Sequence, residues 1–172
     1  AKGCNALGLS GVDGNLIRSV KRTAASIDYG FVGDPIEVNT DLLDSLFTTR
    51  ITPVIAPITH NKQGQLLNTN ADTIAQTLAV ALSARYSVEL IYTFEKKGVL
   101  AAIENPDSVI AVIDKPTYQA LKEQCVIHSG MLPKLDNAFS ALDAGVMAVR
   151  IGDAEELLTL IKGQAGTTLT HA

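Results

Sequence analysis

Short apolar runs alternate with amphipathic stretches along this chain, and the apolar spacing switches between a period of two and a period of three to four. Residues 5–10 are apolar and closed by Gly11, which predicts a buried strand running into a tight turn over 11–15. Residues 16–22 alternate apolar with polar positions, predicting a hairpin strand with one solvated face, and 30–33 read as a loop. Asn39 or Thr40 can cap a helix whose Leu42, Leu43, Leu46 and Phe47 fall at helical spacing, with Asp41 and Asp44 suited to its positive end. Residues 51–58 are apolar on both faces, the pattern of a strand covered on two sides. Because proline donates nothing to a ladder, Pro53 belongs at the start of that strand and Pro57 at its end, with 54–56 as its centre.

In the second half, residues 72–84 carry Ile74, Leu78 and Leu82 at four-residue steps without a breaker, predicting a helix, and 88–94 predict the next strand. Residues 108–113 predict another strand, and Pro116 suits the first turn of a helix through Leu121. A helix over 133–144 shows Leu135, Ala138 and Leu142 and stops at Gly145; a strand over 146–151 follows. Asp153 caps a last helix through Ile161 that ends at Gly163, and 167–170 read as an edge strand. Strands alternating with helices in this way predict an α/β fold with a mostly parallel sheet covered on both faces and ligands beyond the carboxyl ends of the strands.

Length and composition change this picture little. A chain of 172 residues is large enough for one domain with a single core, and 47% hydrophobic against 19% charged residues is the balance of a folded protein. With 14 basic and 18 acidic residues the net charge is −4, and no basic stripe suggests nucleic-acid binding. No apolar run approaches the roughly 20 residues that span a bilayer, and no signal-peptide pattern opens the chain, so a cytoplasmic setting is expected. Cys4 and Cys125 belong to no CxxC pair and are expected as reduced, partly buried thiols, and no metal-ligand spacing occurs. The start at Ala1, running into a strand within five residues, reads like a segment beginning mid-fold.

Three stretches could carry chemistry. Asn68, Asn70 and Asp72 stand directly before the strongest predicted helix; one of them suffices as a cap, and the others can act as amide donors and acceptors and as a carboxylate orienting a lysine ammonium. Residues 128–134 place Gly130 beside a ligand-permissive turn and Lys134 in the first turn of a helix, where a cation is unfavourable unless an anion is also present; a plain surface lysine is the alternative. Glu95, Lys96, Lys97, Gly98, Val99 and Leu100 form a charged loop after the strand 88–94, either a solvated turn or part of a nucleotide site. Neither GxxxxGK[ST] nor GxGxxG is present, and His60 and His171 have no evident partners.

Taken in order, residues 8–14, 30–33, 53–58, 67–72, 130–134 and 166–167 resemble the N-acetylglutamate kinases, within the amino acid kinases. The pairing of Asn-x-Asn-Ala-Asp at 68–72 with Gly-Met-x-x-Lys at 130–134 carries that resemblance, which spans nearly the whole chain. It implies a three-layer α/β/α fold and ATP- and Mg²⁺-dependent phosphorylation of the side-chain carboxylate of N-acetylglutamate, a step of arginine biosynthesis. It implies Lys134 and Asp72 as catalytic, Asn68 and Asn70 as substrate-binding, and no metal-ligating side chain. It implies an ATP site lined by 95–100, by Val126, Ile127 and His128, and by Gly130 and Met131. Where relatives carry a small hydroxyl residue followed by Asp, this chain has Phe94 and Glu95.

The resemblance also implies that residues 1–172 are the C-terminal nucleotide-binding portion. A lysine-glycine-glycine loop, a second glycine-rich loop and a substrate-holding arginine of relatives are absent from the chain. Negligible turnover by these residues alone, and a homodimer or higher homo-oligomer for the intact protein, are the corresponding expectations. Other acceptors (N-succinylglutamate, aspartate, glutamate, a nucleoside monophosphate) and a non-catalytic nucleotide-binding module stay open.

Overall fold

Ile17 and Ser19 are buried while Val20 is exposed, so the alternation over residues 17–21 does what a half-buried strand requires. The computed structural model describes residues 3–24, 26–102, 104–127 and 130–171. It divides into two units, Ala1–Ala81 and Leu82–Ala172, where length alone suggests one core. No helix among the described residues is long and apolar enough to cross a membrane.

The first unit runs β1 (Ala6–Ser10), β2 (Ile17–Lys21), β3 (Gly33–Val38), α1 (Thr40–Thr48), β4 (Thr52–Ala56), β5 (Ile58–His60), β6 (Leu66–Asn68) and the helix α2 (Ala71–Ser83), which continues past its boundary. β1 and β4 pair in parallel, and a second sheet has the order β3-β2-β5-β6. Within it β2 is antiparallel to β3 and parallel to β5, and β5 is antiparallel to β6. Asn39 caps α1 as its sequence suggests: Oδ1 accepts from the Leu42 N–H, and the amide also donates to the Gly14 carbonyl at 2.9 Å.

Two expectations are corrected here. The apolar run 51–58 is not one strand buried on both faces: it breaks after Ala56, and Val54 is 58% exposed. Pro53 lies inside β4, opposite Leu7, which a proline tolerates because β4 has a single hydrogen-bonded neighbour in its sheet. The hairpin β5–β6 was not visible in the pattern, since its three-residue strands are too short for a period to register. Its turn is held by Asn61 Oδ1, which accepts from the Gln63 and Gln65 N–H groups, and His60 finds a partner there, accepting at Nδ1 from the Lys62 N–H.

The second unit contains β7 (Glu89–Phe94), β8 (Val112–Ile113), α3 (Lys115–Glu123), α4 (Leu132–Asp143), β9 (Ala148–Asp153), α5 (Leu157–Ile161) and β10 (Thr167–Leu169). Its sheet has the order β7-β9-β10-β8, parallel except for the β9–β10 pair. Across both units, parallel pairings outnumber antiparallel ones among the described residues. The tail expected as an edge strand therefore lies inside the sheet, with Thr167 and Leu169 fully buried. Leu135, Ala138, Ala141 and Leu142 of α4 are buried, as are Val149 and Ile151 of β9, giving the unit its core. Gly145, at φ +102°, ends α4 in a conformation that an L side chain rarely adopts. Cys4 and Cys125 are free thiols and both are exposed, against the expected partial burial; Cys125 stands in the turn just past the end of α3.

Candidate functional site

In the second unit β7 delivers residues 95–100 to its carboxyl end, the edge where α/β sheets bind ligands. A cavity of about 200 Å³ opens there. Phe94, Val99, Leu100, Val126, Ile127 and Met131 give it an apolar lining, and Gly98 and Gly130 bring backbone to its wall. Lys96 and Lys134 add two ammonium groups, and among the described residues no carboxylate lines it. This volume lies below the roughly 300–1,000 Å³ of pockets that enclose a drug-sized ligand, so it suits one flat ring system with an anionic remainder outside.

The loop is held from below. The Val99 N–H donates to Thr167 Oγ1 at 2.8 Å, the Val99 carbonyl accepts from the Ile110 N–H, and both Val99 and Thr167 are buried. A Cβ at Gly98 would stand 2.8 Å from both Thr167 Oγ1 and Val109 Cγ1, so glycine is required by space there. Two predicted residues of this loop do not line the cavity. Glu95 is exposed, and Lys97 pairs with Asp107 at 2.6 Å, a hydrogen bond that raises the lysine pKa and holds the carboxyl below its usual value. His128 lies outside the described residues.

Lys134 occupies the third position of α4, a helix whose Met131 N-cap makes no side-chain capping bond. Side chains do cap α1 and α3, through Asn39 and Asp114. At the start of this twelve-residue helix, among the described residues, backbone N–H groups and the Lys134 ammonium are the groups that could meet an anion. The Lys134 ammonium lies over the Tyr92 ring, 4.6 Å from its centroid.

In the first unit Asn68 and Asn70 flank a buried threonine, and Asp72 follows in the first turn of α2. Thr69 Oγ1 meets Thr59 Oγ1 at 3.1 Å and donates to the Gly33 carbonyl, which fixes Thr69 inward and turns its two neighbours outward. Asn68 and Asn70 are both exposed. Asn70 does serve as the cap of α2: its Oδ1 accepts from the N–H groups of Asp72 and Thr73 at 2.8 and 3.2 Å, leaving its amide nitrogen as the donor it can offer a ligand. Asp72 is half-buried in the first turn of α2. No group of three or more His, Cys, Asp or Glu is gathered for a metal ion among the described residues.

The family model described as amino acid kinase family matches residues 1–153. The chain belongs to the amino acid kinase family. It is 55% identical to the acetylglutamate kinase of Parabacteroides distasonis over 157 residues, 91% of this chain and 62% of that protein. Its structure is similar to that of smu.665 from Streptococcus mutans, with TM-score 0.78 and 30% identity over 98% of this chain and 62% of that one. The carbamate kinase of Giardia lamblia bound to AMP-PNP shares the fold at TM-score 0.69 and 14% identity, over 98% and 62% of the respective chains. The chain spans about 60% of the length of the curated relatives it matches. The mixed α/β class with parallel pairings in the majority is what the alternation of elements predicts, and the amino acid kinase family is what the resemblance implies.

Three participants escaped the sequence reading. Phe94 appeared only as a departure from relatives, yet it lines the cavity. Thr167 acts on a loop 68 residues away, a distance no local pattern bridges. Thr69 did leave a signal, since a small hydroxyl residue between two asparagines in a period-two segment faces the other way.

Proposed function

We propose that these residues bind ATP in an ATP-dependent kinase of the amino acid kinase family, one that phosphorylates the side-chain carboxylate of an N-acylated glutamate, with N-acetylglutamate as acceptor. The observation that carries this reading is the cavity at the end of β7, apolar inside, flanked by two lysines and by the uncapped start of α4. It suits a purine whose phosphates run toward Lys134. Membership of the family and 55% identity to an acetylglutamate kinase support the acceptor.

In this reading Phe94, Val99, Leu100 and Met131 hold the base, and Gly98 and Gly130 let backbone approach it. Val126 and Ile127 close the wall, and Lys96 and Lys134 meet phosphate oxygens. Mg²⁺ enters with ATP as part of the substrate, carried by the phosphates. Phosphoryl transfer needs positioning and neutralisation of charge more than covalent help, and ammonium groups with free helix N–H groups supply both. Asn68 and Asn70 hold the acylated glutamate through their amides. Asp72 is the fixed carboxylate that orients a lysine ammonium.

Titration of the chain with ATP·Mg²⁺, followed through backbone amide resonances, tests the nucleotide assignment. The amides of Gly98, Val99, Gly130 and Met131 are expected to shift in a saturable manner, and Lys134→Met to weaken binding. Shifts confined to other surfaces, or none at millimolar ATP, refute it. A parallel titration with N-acetylglutamate and N-succinylglutamate, read at Asn68 and Asn70, tests the acceptor.

A further inference from the structure

Asn68 and Asn70 can meet one ligand only while both side chains leave the same face of the chain. β6 has three residues, too few for its ladder alone to fix which face that is. The residue between the two asparagines supplies the constraint. Thr69 is 4% exposed; its N–H donates to the Pro57 carbonyl at 3.0 Å, and its Oγ1 meets Thr59 Oγ1 at 3.1 Å and donates to the Gly33 carbonyl at 3.2 Å. A hydroxyl can serve both Oγ1 contacts because it has one proton to give and lone pairs that accept. Gly33 opens β3 and Thr69 follows β6, the outer strands of the order β3-β2-β5-β6, so this one side chain ties the two ends of the sheet together. Beside it Val32 bridges to Asn68, and the Asn68 N–H donates to the Phe31 carbonyl at 2.7 Å.

We propose that Thr69 is a positioning residue for the acceptor, its buried hydroxyl, set between Thr59 and Gly33, keeping Asn68 and Asn70 on one outward face where both amides reach the same ligand. This rests on the acceptor reading above and deepens it. Thr69 touches no ligand; it acts through its two neighbours. The cap of α2 already fixes the Asn70 amide through its Oδ1, so Asn68 bears most of the dependence on Thr69.

The test titrates the full chain with N-acetylglutamate and, separately, with ATP·Mg²⁺. Thr69→Val keeps the shape and removes the hydroxyl; it is expected to weaken N-acetylglutamate by about two- to tenfold, the span of one net hydrogen bond, and to leave ATP unchanged. Thr69→Ser, which keeps the hydroxyl, is expected to restore acceptor affinity. Ser19→Ala removes a neighbouring hydroxyl, 1% exposed and without a hydrogen-bond partner among the described residues, and is expected to alter neither ligand. Unchanged acceptor affinity in Thr69→Val overturns the proposal. So does equal weakening of ATP, or an equal loss of acceptor affinity in Thr69→Ser or Ser19→Ala, since each assigns the effect to packing. If Thr69→Val does not fold, the wild-type protein decides: a hydroxyl held in this way exchanges slowly enough to give its own proton resonance, and rapid exchange of the Thr69 hydroxyl overturns the proposal. If neither N-acetylglutamate nor N-succinylglutamate moves the Asn68 and Asn70 amides of the wild type, the acceptor reading falls and the proposal with it, a result distinct from failure of the Thr69 variants alone.

Discussion

Replacing Thr167 with valine changes almost no volume and removes one hydrogen-bond acceptor, so it isolates what the Val99 N–H gains from Oγ1. Thr167 is 0% and Val99 2% exposed, so water has no path to replace that acceptor. A buried donor left without a partner costs about 1–3 kcal/mol. Thr167→Ser gives the opposite dissection: it keeps the acceptor and loses one buried methyl group, worth about 0.8 kcal/mol. Hydrogen exchange at the Val99 amide is the direct assay, because it reads opening of this loop without requiring the two units to unfold together. The expected acceleration in Thr167→Val is about 5- to 150-fold, the equilibrium equivalent of that energy range. The serine variant is expected to exchange no more than a few times faster than wild type. Equal exchange in wild type and Thr167→Val, or exchange in the serine variant as fast as in the valine variant, refutes the view that this bond holds the cavity wall.

Gly33→Ala places a Cβ 2.8 Å from that of Leu67 and 3.0 Å from Thr59 Oγ1, and is expected to cost about 1–3 kcal/mol in urea unfolding while shifting the Asn68 amide. Asn39→Ala removes the cap of α1 and the bond to the Gly14 carbonyl, with an expected loss of about 1–2 kcal/mol by the same measurement. Asp136 is held below its usual 3.8 first by the hydrogen bond from Tyr118 and then by Lys122. That contribution is complete above 3.8 and is lost as pH falls through the lower folded value, so the acid limb of a melting-temperature profile is expected to flatten in Asp136→Asn. Tyr118 is shifted the other way, mainly by burial and then by Asp136, so its contribution is present below pH 10.0 and fades as pH rises beyond it.

What the sequence disclosed were features with local causes. The cap of α1 follows from Asn39 before an apolar stripe, the stop of α4 from Gly145, and the position of residues 95–100 from the strand before them. Asn70 was legible as a cap, and it does cap α2. What stayed hidden depends on partners distant in sequence. Burial of residues 51–58 was over-read because an apolar run states what a strand can tolerate, not what covers it. The tail was assigned to an edge because a three-residue strand carries no record of its neighbours, and only the pairings of Thr168 with Arg150 and Val112 show it inside. Within the charged loop, Lys96 and Lys97 are adjacent and chemically alike. Their difference arises from Asp107, ten residues past Lys97.

The interior position of β10 sets an order of events during synthesis. β8 and β9 have no direct ladder between them, since each bonds to opposite sides of residues 167–169. Until those residues have left the ribosome, two strand edges wait open in the nascent chain, ready to recruit foreign strands. Mistakes of assembly should therefore concentrate in the second unit, and a chaperone that shields unpaired edges would act chiefly in that interval.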